Sequence, residues 1–275
     1  MGKIVLVTGA SSGMGEATAR LLNEKGYKVY AAARSVDQMK PLEVFGIKVL
    51  PLDLTDADSI VACVNSILKQ DSRIDILINN AGYGYYGAVE DVPISEGRRQ
   101  FEVNLFGLAH LTQLVLPQMR QNGFGRIVNI SSMGGKMYTP FGAWYHATKH
   151  ALEGWSDCLR LEVKPFGIDV VLVEPGVIAT PWGVIAANNL KNNSLQGAYA
   201  QRASRTANTM TTMYANPKRA TDPLVLANVI VKAATANKPK TRYVKGAFAK
   251  PVLFLRKILS DRSFDKLINA MDGRV

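Results

Sequence analysis

Tyr145 and Lys149 stand four residues apart in Tyr-His-Ala-Thr-Lys, at the start of a stretch with helical character, so their side chains share one face. An unperturbed phenol titrates near about 10 and is a poor base at neutral pH. An ammonium ~4 Å away at an effective dielectric of ~20 contributes roughly 4 kcal/mol, up to about three pKa units, which brings a phenol into working range for proton transfer. Taken alone, such a pair is a weak signal that chance supplies as a surface contact. Its meaning depends on the elements that position it. A second pair on the same stretch, His146 and His150, has the spacing of some zinc sites. It lacks the accompanying Glu and a third ligand, and on a regular helix it is turned about 100° from the Tyr145 and Lys149 face. No metal is expected.

Short β-branched runs alternate along the chain with helix-length amphipathic stretches. The runs are Ile4 to Val7, Val29 to Ala32, Val49 to Leu52, Ile74 to Ile78, Ile127 to Ile130 and Val170 to Val173. Residues 15–25, 56–70, 96–121 and 143–164 lie between them. This rhythm predicts an α/β fold: a doubly wound parallel sheet of Rossmann type with helices on both faces, in a single domain. The first run enters Thr8-Gly9-Ala10-Ser11-Ser12-Gly13-Met14-Gly15 and then a helix. Glycines at that junction let the backbone turn sharply and approach a ligand, while free N–H groups and the positive helix end favour a pyrophosphate. In the first βα unit of such a sheet this predicts dinucleotide binding by Gly9, Ser11, Ser12, Gly13, Met14 and Gly15. At the end of the second run an acidic residue would bind the ribose 2′-hydroxyl of NAD and repel a 2′-phosphate. The chain instead reads Ala33-Arg34-Ser35. Arg34 can fork onto a phosphate and Ser35 adds a neutral donor, so the expected cofactor is NADP(H).

With these motifs in this order, the chain resembles the short-chain dehydrogenase/reductase family over nearly its whole length, in the branch with the Gly9, Gly13, Gly15 spacing. The resemblance implies roles for further residues. Ser132, thirteen residues before Tyr145, matches the catalytic serine, with adjacent Ser131 the second choice, and Asn104 matches the proton-relay asparagine. Asp53 and Leu54 match the adenine side. Asn80, Ala81 and Gly82 belong to the Asn-Asn-Ala-Gly segment, and Pro175, Gly176, Val177 and Thr180 match the nicotinamide side. The implied chemistry is hydride transfer between NADP(H) and a carbonyl/alcohol pair. Tyr145 is the general acid or base, Ser132 the donor to the substrate oxygen, and Lys149 the ion that depresses the tyrosine pKa and binds the nicotinamide ribose. The resemblance leans toward the 17β-hydroxysteroid and retinol dehydrogenase-like branch, and family members commonly form homo-oligomers (dimers or tetramers) through the helices matching 96–121 and 143–164.

A hydrophobic wall is expected for the substrate, from Tyr83, Tyr85 and Tyr86, from Met133, Met137, Tyr138 and Phe141, and from Trp182 with Ile185. Residues 1–245 are read as the catalytic domain. Residues 181–223 form a partly mobile lid over its pocket, and 246–275 a basic amphipathic helical extension of the same domain. Alternatives are a reductase of carrier-protein-bound 3-ketoacyl groups and a non-catalytic NADP(H)-sensing interaction protein.

The 275 residues, 47% hydrophobic and 20% charged, suffice for one large packed domain and exclude a disordered chain. No apolar run approaches the roughly 20 residues of a membrane span. The first one reads as a strand and not a signal peptide. Cys63 and Cys158 show no pairing pattern, which suits a reducing cytoplasm. The net charge of +11 is uneven: from Lys238 onward ten Lys and Arg face three Asp, leaving seven of the eleven charges in the last 38 residues. No nucleic-acid recognition motif accompanies them. An amphipathic pattern does, with Phe254, Leu255, Ile258, Leu259, Phe264, Leu267, Ile268 and Met271 at helical spacing. Such helices cap the pocket, pack on a second subunit or touch an acidic membrane peripherally.

Overall fold

A computed structural model describes residues 2–272; Arg274, counted in the basic tail, lies outside the described residues. The chain begins β1 (Ile4–Thr8), α1 (Gly13–Glu24), β2 (Lys28–Ala33), α2 (Val36–Met39), β3 (Lys48–Pro51), α3 (Ala57–Asp71) and β4 (Ile76–Asn79). It continues α4 (Ile94–Phe101), α5 (Gly107–Gln121), β5 (Gly125–Ile130), α6 (Ala143–Val163), β6 (Ile168–Pro175), α7 (Trp182–Ser194) and α8 (Ala200–Ala215). Then come α9 (Pro223–Thr235), β7 (Arg242–Lys245), α10 (Ala249–Ile258) and α11 (Asp261–Asp272). All seven strands are parallel in one sheet of order β3-β2-β1-β4-β5-β6-β7, as the alternating pattern predicts. The order reverses between β1 and β4, which opens a crevice at their carboxyl ends.

Strand periodicity of two divides the core. Val5 and Val7 of β1 face α1 and α9, packing with Leu22, Leu226 and Ile230. Ile4 and Leu6 face α3, α5 and α6, packing with Ile60, Leu111 and Leu159. Because both faces are covered, the strands read as continuous apolar runs. Helix α3 starts where the Asp56 carboxylate accepts the N–H groups of Asp58 (2.9 Å) and Ser59 (3.3 Å), and it stops at Ser72 in a left-handed conformation.

Three segments carry detail beyond the sequence pattern. Residues 96–121 are not one regular helix, because Glu102–Phe106 forms a π turn between α4 and α5. Gly107 then packs so closely on the Leu54 carbonyl that a side chain there would collide. Such inserts re-aim one side chain, here Asn104, which is turned into the buried interior. Residues 181–223 contain two packed helices, α7 and α8. Alanines 186, 187, 203 and 207 bring their backbones together, and Leu190 fills the seam. The extension beyond residue 246 folds as α10 and α11, which bury Val252, Phe264 and Ile268 against Met137. No helix among the described residues is long and apolar enough to cross a membrane, and both cysteines are free.

Candidate active site

The crevice at the β1/β4 switch is a groove of about 560 Å³ lined by the end of β2 and by the segments that follow β1, β3 and β4. Gly9, at φ 64, adopts a left-handed conformation, and a side chain there would come within 2.7 Å of the Ala81 Cα. Gly15 sits behind the groove, where any Cβ would strike the Gly9 carbonyl oxygen, so its part is the close fit of α1 on β1. Asn80 fixes the opposite wall: its Nδ2 donates to the Thr8 and Gly9 carbonyls at 3.0 and 3.1 Å, and the Asn80 and Ala81 N–H groups donate to the Thr8 hydroxyl. Asn79, next in chain, turns the other way, into buried hydrogen bonds with Asn129 and Thr112.

Ser11, Ser12, Gly13, Met14, Arg34, Ser35, Asp53, Leu54, Asn80, Ala81, Gly82 and Thr180 all line this groove. Arg34 and Ser35 are exposed at the end of β2 and make no ion pair among the described residues. Partial burial pushes Asp53 up, but hydrogen bonds from Thr55 and the charges of Arg34 and Arg99 outweigh it and hold the carboxylate below its ordinary range. Arg99, on α4, is a groove residue the sequence did not signal, since one Arg on a polar helix says nothing about what it faces.

Tyr145, Lys149 and Ser132 line a second cavity of about 260 Å³ that shares Gly82 with this groove, and Asn104 stands behind Gly82 at that border. Tyr145 and Lys149 lie one turn apart on α6, both buried, and Lys149 Nζ donates to the Ile130 carbonyl at the end of β5 (2.9 Å). Asn104 is pinned by three hydrogen bonds. Its Nδ2 donates to the Tyr83 carbonyl (2.9 Å) and the Thr148 hydroxyl (3.0 Å), and its Oδ1 accepts the Tyr83 N–H (3.1 Å). A Cβ on Gly82 would lie 3.1 Å from Asn104 Oδ1 and 3.6 Å from Lys149 Nζ, so the bare backbone at Gly82 leaves both polar groups facing one small space.

The Ser132 hydroxyl accepts the Gly134 N–H (3.0 Å) and stands beside the Tyr145 phenol. The Ser131 hydroxyl packs against Gly135 without a hydrogen-bond partner among the described residues. Pro175, Gly176 and Val177 line the second cavity and not the glycine-rich groove, while Thr180, Met14, Asn80 and Gly82 border both.

Burial dominates the electrostatics, in the direction opposite to that expected from the Tyr-Lys spacing alone. Desolvation pushes the Tyr145 phenol up to about 12, offset only in part by Ser132. Desolvation also pulls the Lys149 ammonium down to about 8, against a smaller opposing pull from Glu153. In this state the phenol holds its proton at neutral pH. His146 is pulled down to about 4, chiefly by burial, and is neutral. Because the Thr139 N–H donates to its Nε2 (3.1 Å), Nδ1 carries the hydrogen and donates to the Gly134 carbonyl (2.9 Å). It ties the loop bearing Ser132 to α6. The His150 ring likewise spends Nδ1 on the His146 carbonyl.

The wall of the second cavity is apolar. Met14, Met133, Met137, Met210, Met213 and Met271 contribute, together with Tyr86, Trp182 and Tyr214. Trp182 lies 5.0 Å from the Tyr145 ring, centroid to centroid, and borders groove and cavity alike. Helices α10 and α11 supply Val252, Ile268 and Met271, so the extension closes one side. Four residues of the expected wall lie elsewhere. The Tyr85 hydroxyl donates to Asn193 beside the glycine-rich groove, and Ile185 borders that groove too. Tyr138 stacks edge-on with Phe264, and Phe141 packs into the seam under α7 and α8. Proximity in sequence to Ser132 and Tyr145 did not reveal which way each ring turned out of its loop.

The family model for short chain dehydrogenases matches residues 3–189. The chain is 36% identical over 255 residues to a 3-ketodihydrosphingosine reductase of Bacteroides thetaiotaomicron, covering 92% of this chain and 91% of that protein. Among solved structures it resembles a short-chain dehydrogenase from Streptomyces avermitilis with TM-score 0.82 and 32% identity over 100% of this chain and 99% of the other. It also resembles a metagenomic short-chain oxidoreductase in complex with NADP, with TM-score 0.69 and 27% identity, over 88% of this chain and 96% of that one. Sheet order, glycine-rich crevice and these likenesses agree that the chain belongs to the short-chain dehydrogenase/reductase family of oxidoreductases.

Proposed function

We propose that the chain is an NADPH-dependent reductase of long or bulky apolar ketones and aldehydes, of the steroid-, retinoid- or lipid-like kind. The observation that supports this most is the junction itself. Tyr145, Ser132 and Lys149 line a cavity walled by methionine and aromatic side chains, which borders a glycine-lined groove at Gly82 with Asn104 behind it. The groove suits the nucleotide: bare glycine backbone and the α1 N-terminus stand at one end, and the unpaired Arg34 with Ser35 at the edge where a 2′-phosphate would lie. When bound there, NADPH supplies the hydride.

The protein's own groups manage the oxygen. Ser132 donates a hydrogen bond to the substrate carbonyl, and Tyr145 gives it a proton as negative charge develops. Lys149, charged below pH of about 8, strengthens that acid and then passes a proton toward the phenolate left behind, and a water held by Asn104 returns one to Lys149 from solvent. A phenol protonated at neutral pH is in the form that donates to a carbonyl oxygen. Helices α7 and α8 serve as the lid, residues 1–245 as the catalytic domain and 246–275 as its extension. The relative from Bacteroides, named for reducing a keto lipid, and the neighbour solved with NADP support the substrate class and cofactor. A homo-oligomer belongs to the same reading, because α6 leaves Leu161 bare to solvent and the π turn leaves Phe106 so.

A ketone series of increasing chain length tests the substrate class. Each methylene entering the cavity is worth about 0.8 kcal/mol, so kcat/KM with NADPH should rise up to about fourfold per carbon until the cavity is full. A flat series would contradict the apolar-substrate reading. Tight NADPH binding without turnover on any carbonyl would favour a sensor.

A further inference from the structure

Helices α10 and α11 bury one face against the body and leave another uncovered. On α10 the exposed residues Lys250, Phe254, Lys257 and Ile258 fall at i, i+4, i+7 and i+8, a single stripe, with Phe254 62% and Ile258 58% exposed. The surrounding charge is one-sided. The three acids of the extension are already engaged: Asp261 with Arg256, Asp265 with the Tyr138 hydroxyl, and Asp272 with Arg202 and Thr206. By contrast Lys245, Lys250, Lys257, Arg262 and Lys266 are exposed and make no ion pair among the described residues. A protein partner's interface core is depleted of lysine, whereas two bare apolar side chains among free cations match an anionic lipid surface.

The same segment borders the cavity. Phe248 and Met271 line it and are also exposed, so these two side chains stand where the cavity meets solvent. Phe248 is held at φ 64, a conformation in which a bulky aromatic residue is strained, so the chain keeps a large apolar group at this rim at a backbone cost.

We propose that this face docks on an anionic bilayer, with Phe254 and Ile258 entering the headgroup region and the unpaired Lys and Arg meeting lipid phosphates. The rim at Phe248 and Met271 is thereby brought to the membrane, and an apolar carbonyl enters the cavity without crossing bulk water. This last step rests on the reductase reading, whereas the docking does not.

The test is co-sedimentation of the full chain with vesicles of mixed phosphatidylglycerol and phosphatidylcholine, and with phosphatidylcholine alone, for wild type, Lys250→Glu/Lys257→Glu and Phe254→Ser/Ile258→Ser. None of these four residues lines groove or cavity. Circular dichroism and the melting temperature establish that each variant is folded. Wild type is expected to bind the anionic vesicles only, less so as salt rises. Charge reversal should lower partitioning about tenfold or more, and loss of the apolar pair should remove the salt-resistant fraction. Failure of wild type to bind anionic vesicles would overturn the proposal, as would binding that ignores both double variants. If vesicles are ignored and Phe254→Ser/Ile258→Ser lowers the mass by light scattering, the face is instead an interface between copies of the chain, which also overturns it. Vesicle binding needs no turnover, so its outcome is separate from that of the catalytic assays.

Discussion

Tyr145→Phe is expected to lower kcat for carbonyl reduction by roughly a hundred- to ten-thousand-fold while NADPH affinity stays near that of the wild type. The substitution removes one oxygen from a buried ring that keeps its packing against Trp182 and Tyr86, so the fold has little reason to change. It removes the only phenol among the described residues that stands beside both Ser132 and the Lys149 turn. The wild-type pH profile follows from the same groups. Burial lowers the Lys149 pKa to about 8, so its charged form is present below that pH and is lost as pH rises through it. Without the ammonium the phenol is a weaker acid, and kcat should fall on the alkaline side of about 8. Steady-state kinetics from neutral pH to pH of about 10 measure this. A Tyr145→Phe enzyme within a few-fold of wild type would mean that the proton comes from elsewhere.

Arg34→Asp should exchange cofactor preference. An arginine forked onto a phosphate contributes about 1.5–3 kcal/mol, and a carboxylate in its place both loses that and repels the 2′-phosphate while accepting a ribose hydroxyl. The ratio of kcat/KM for NADPH over NADH should therefore drop by at least about a hundredfold. Arg34 is exposed at the strand end and carries no structural ion pair, so stability should change little. A preference left unchanged would place the 2′-phosphate on another cation, and Arg99, whose charge also reaches Asp53, is the first to examine.

The parts of this molecule that were legible in its sequence are those where one local rule dominates. Apolar runs at strand length with helix-length intervals led directly to a parallel sheet, since strands covered on both faces have no alternative pattern. The Gly9–Gly15 loop was legible because close backbone approach there admits no side chain. What was hidden depends on three-dimensional neighbours. Glu102–Phe106 reads as ordinary helix, and only the contact of Gly107 with Leu54 accounts for the π turn that aims Asn104.

Arg99 joins the glycine-rich groove from a helix with no motif of its own. Tyr138 and Phe141 sit between Ser132 and Tyr145 in the chain, yet one packs on the C-terminal extension and the other under the lid helices, because loop direction and not sequence distance decides where a ring goes. The Tyr145 and Lys149 pKa values went the same way. Their spacing brought out the attraction between an ammonium and a phenolate, but the burial that outweighs it is a property of the assembled site.

The most direct measurement is transfer of label from NADPH deuterated at nicotinamide C4 into the alcohol formed from a long-chain ketone, followed by mass spectrometry with wild type and Tyr145→Phe. One deuterium per product molecule with wild type, and almost no product with Tyr145→Phe, is the expected result. NADPH bound tightly with no labelled alcohol from any apolar ketone would contradict the assignment of this site as a carbonyl reductase.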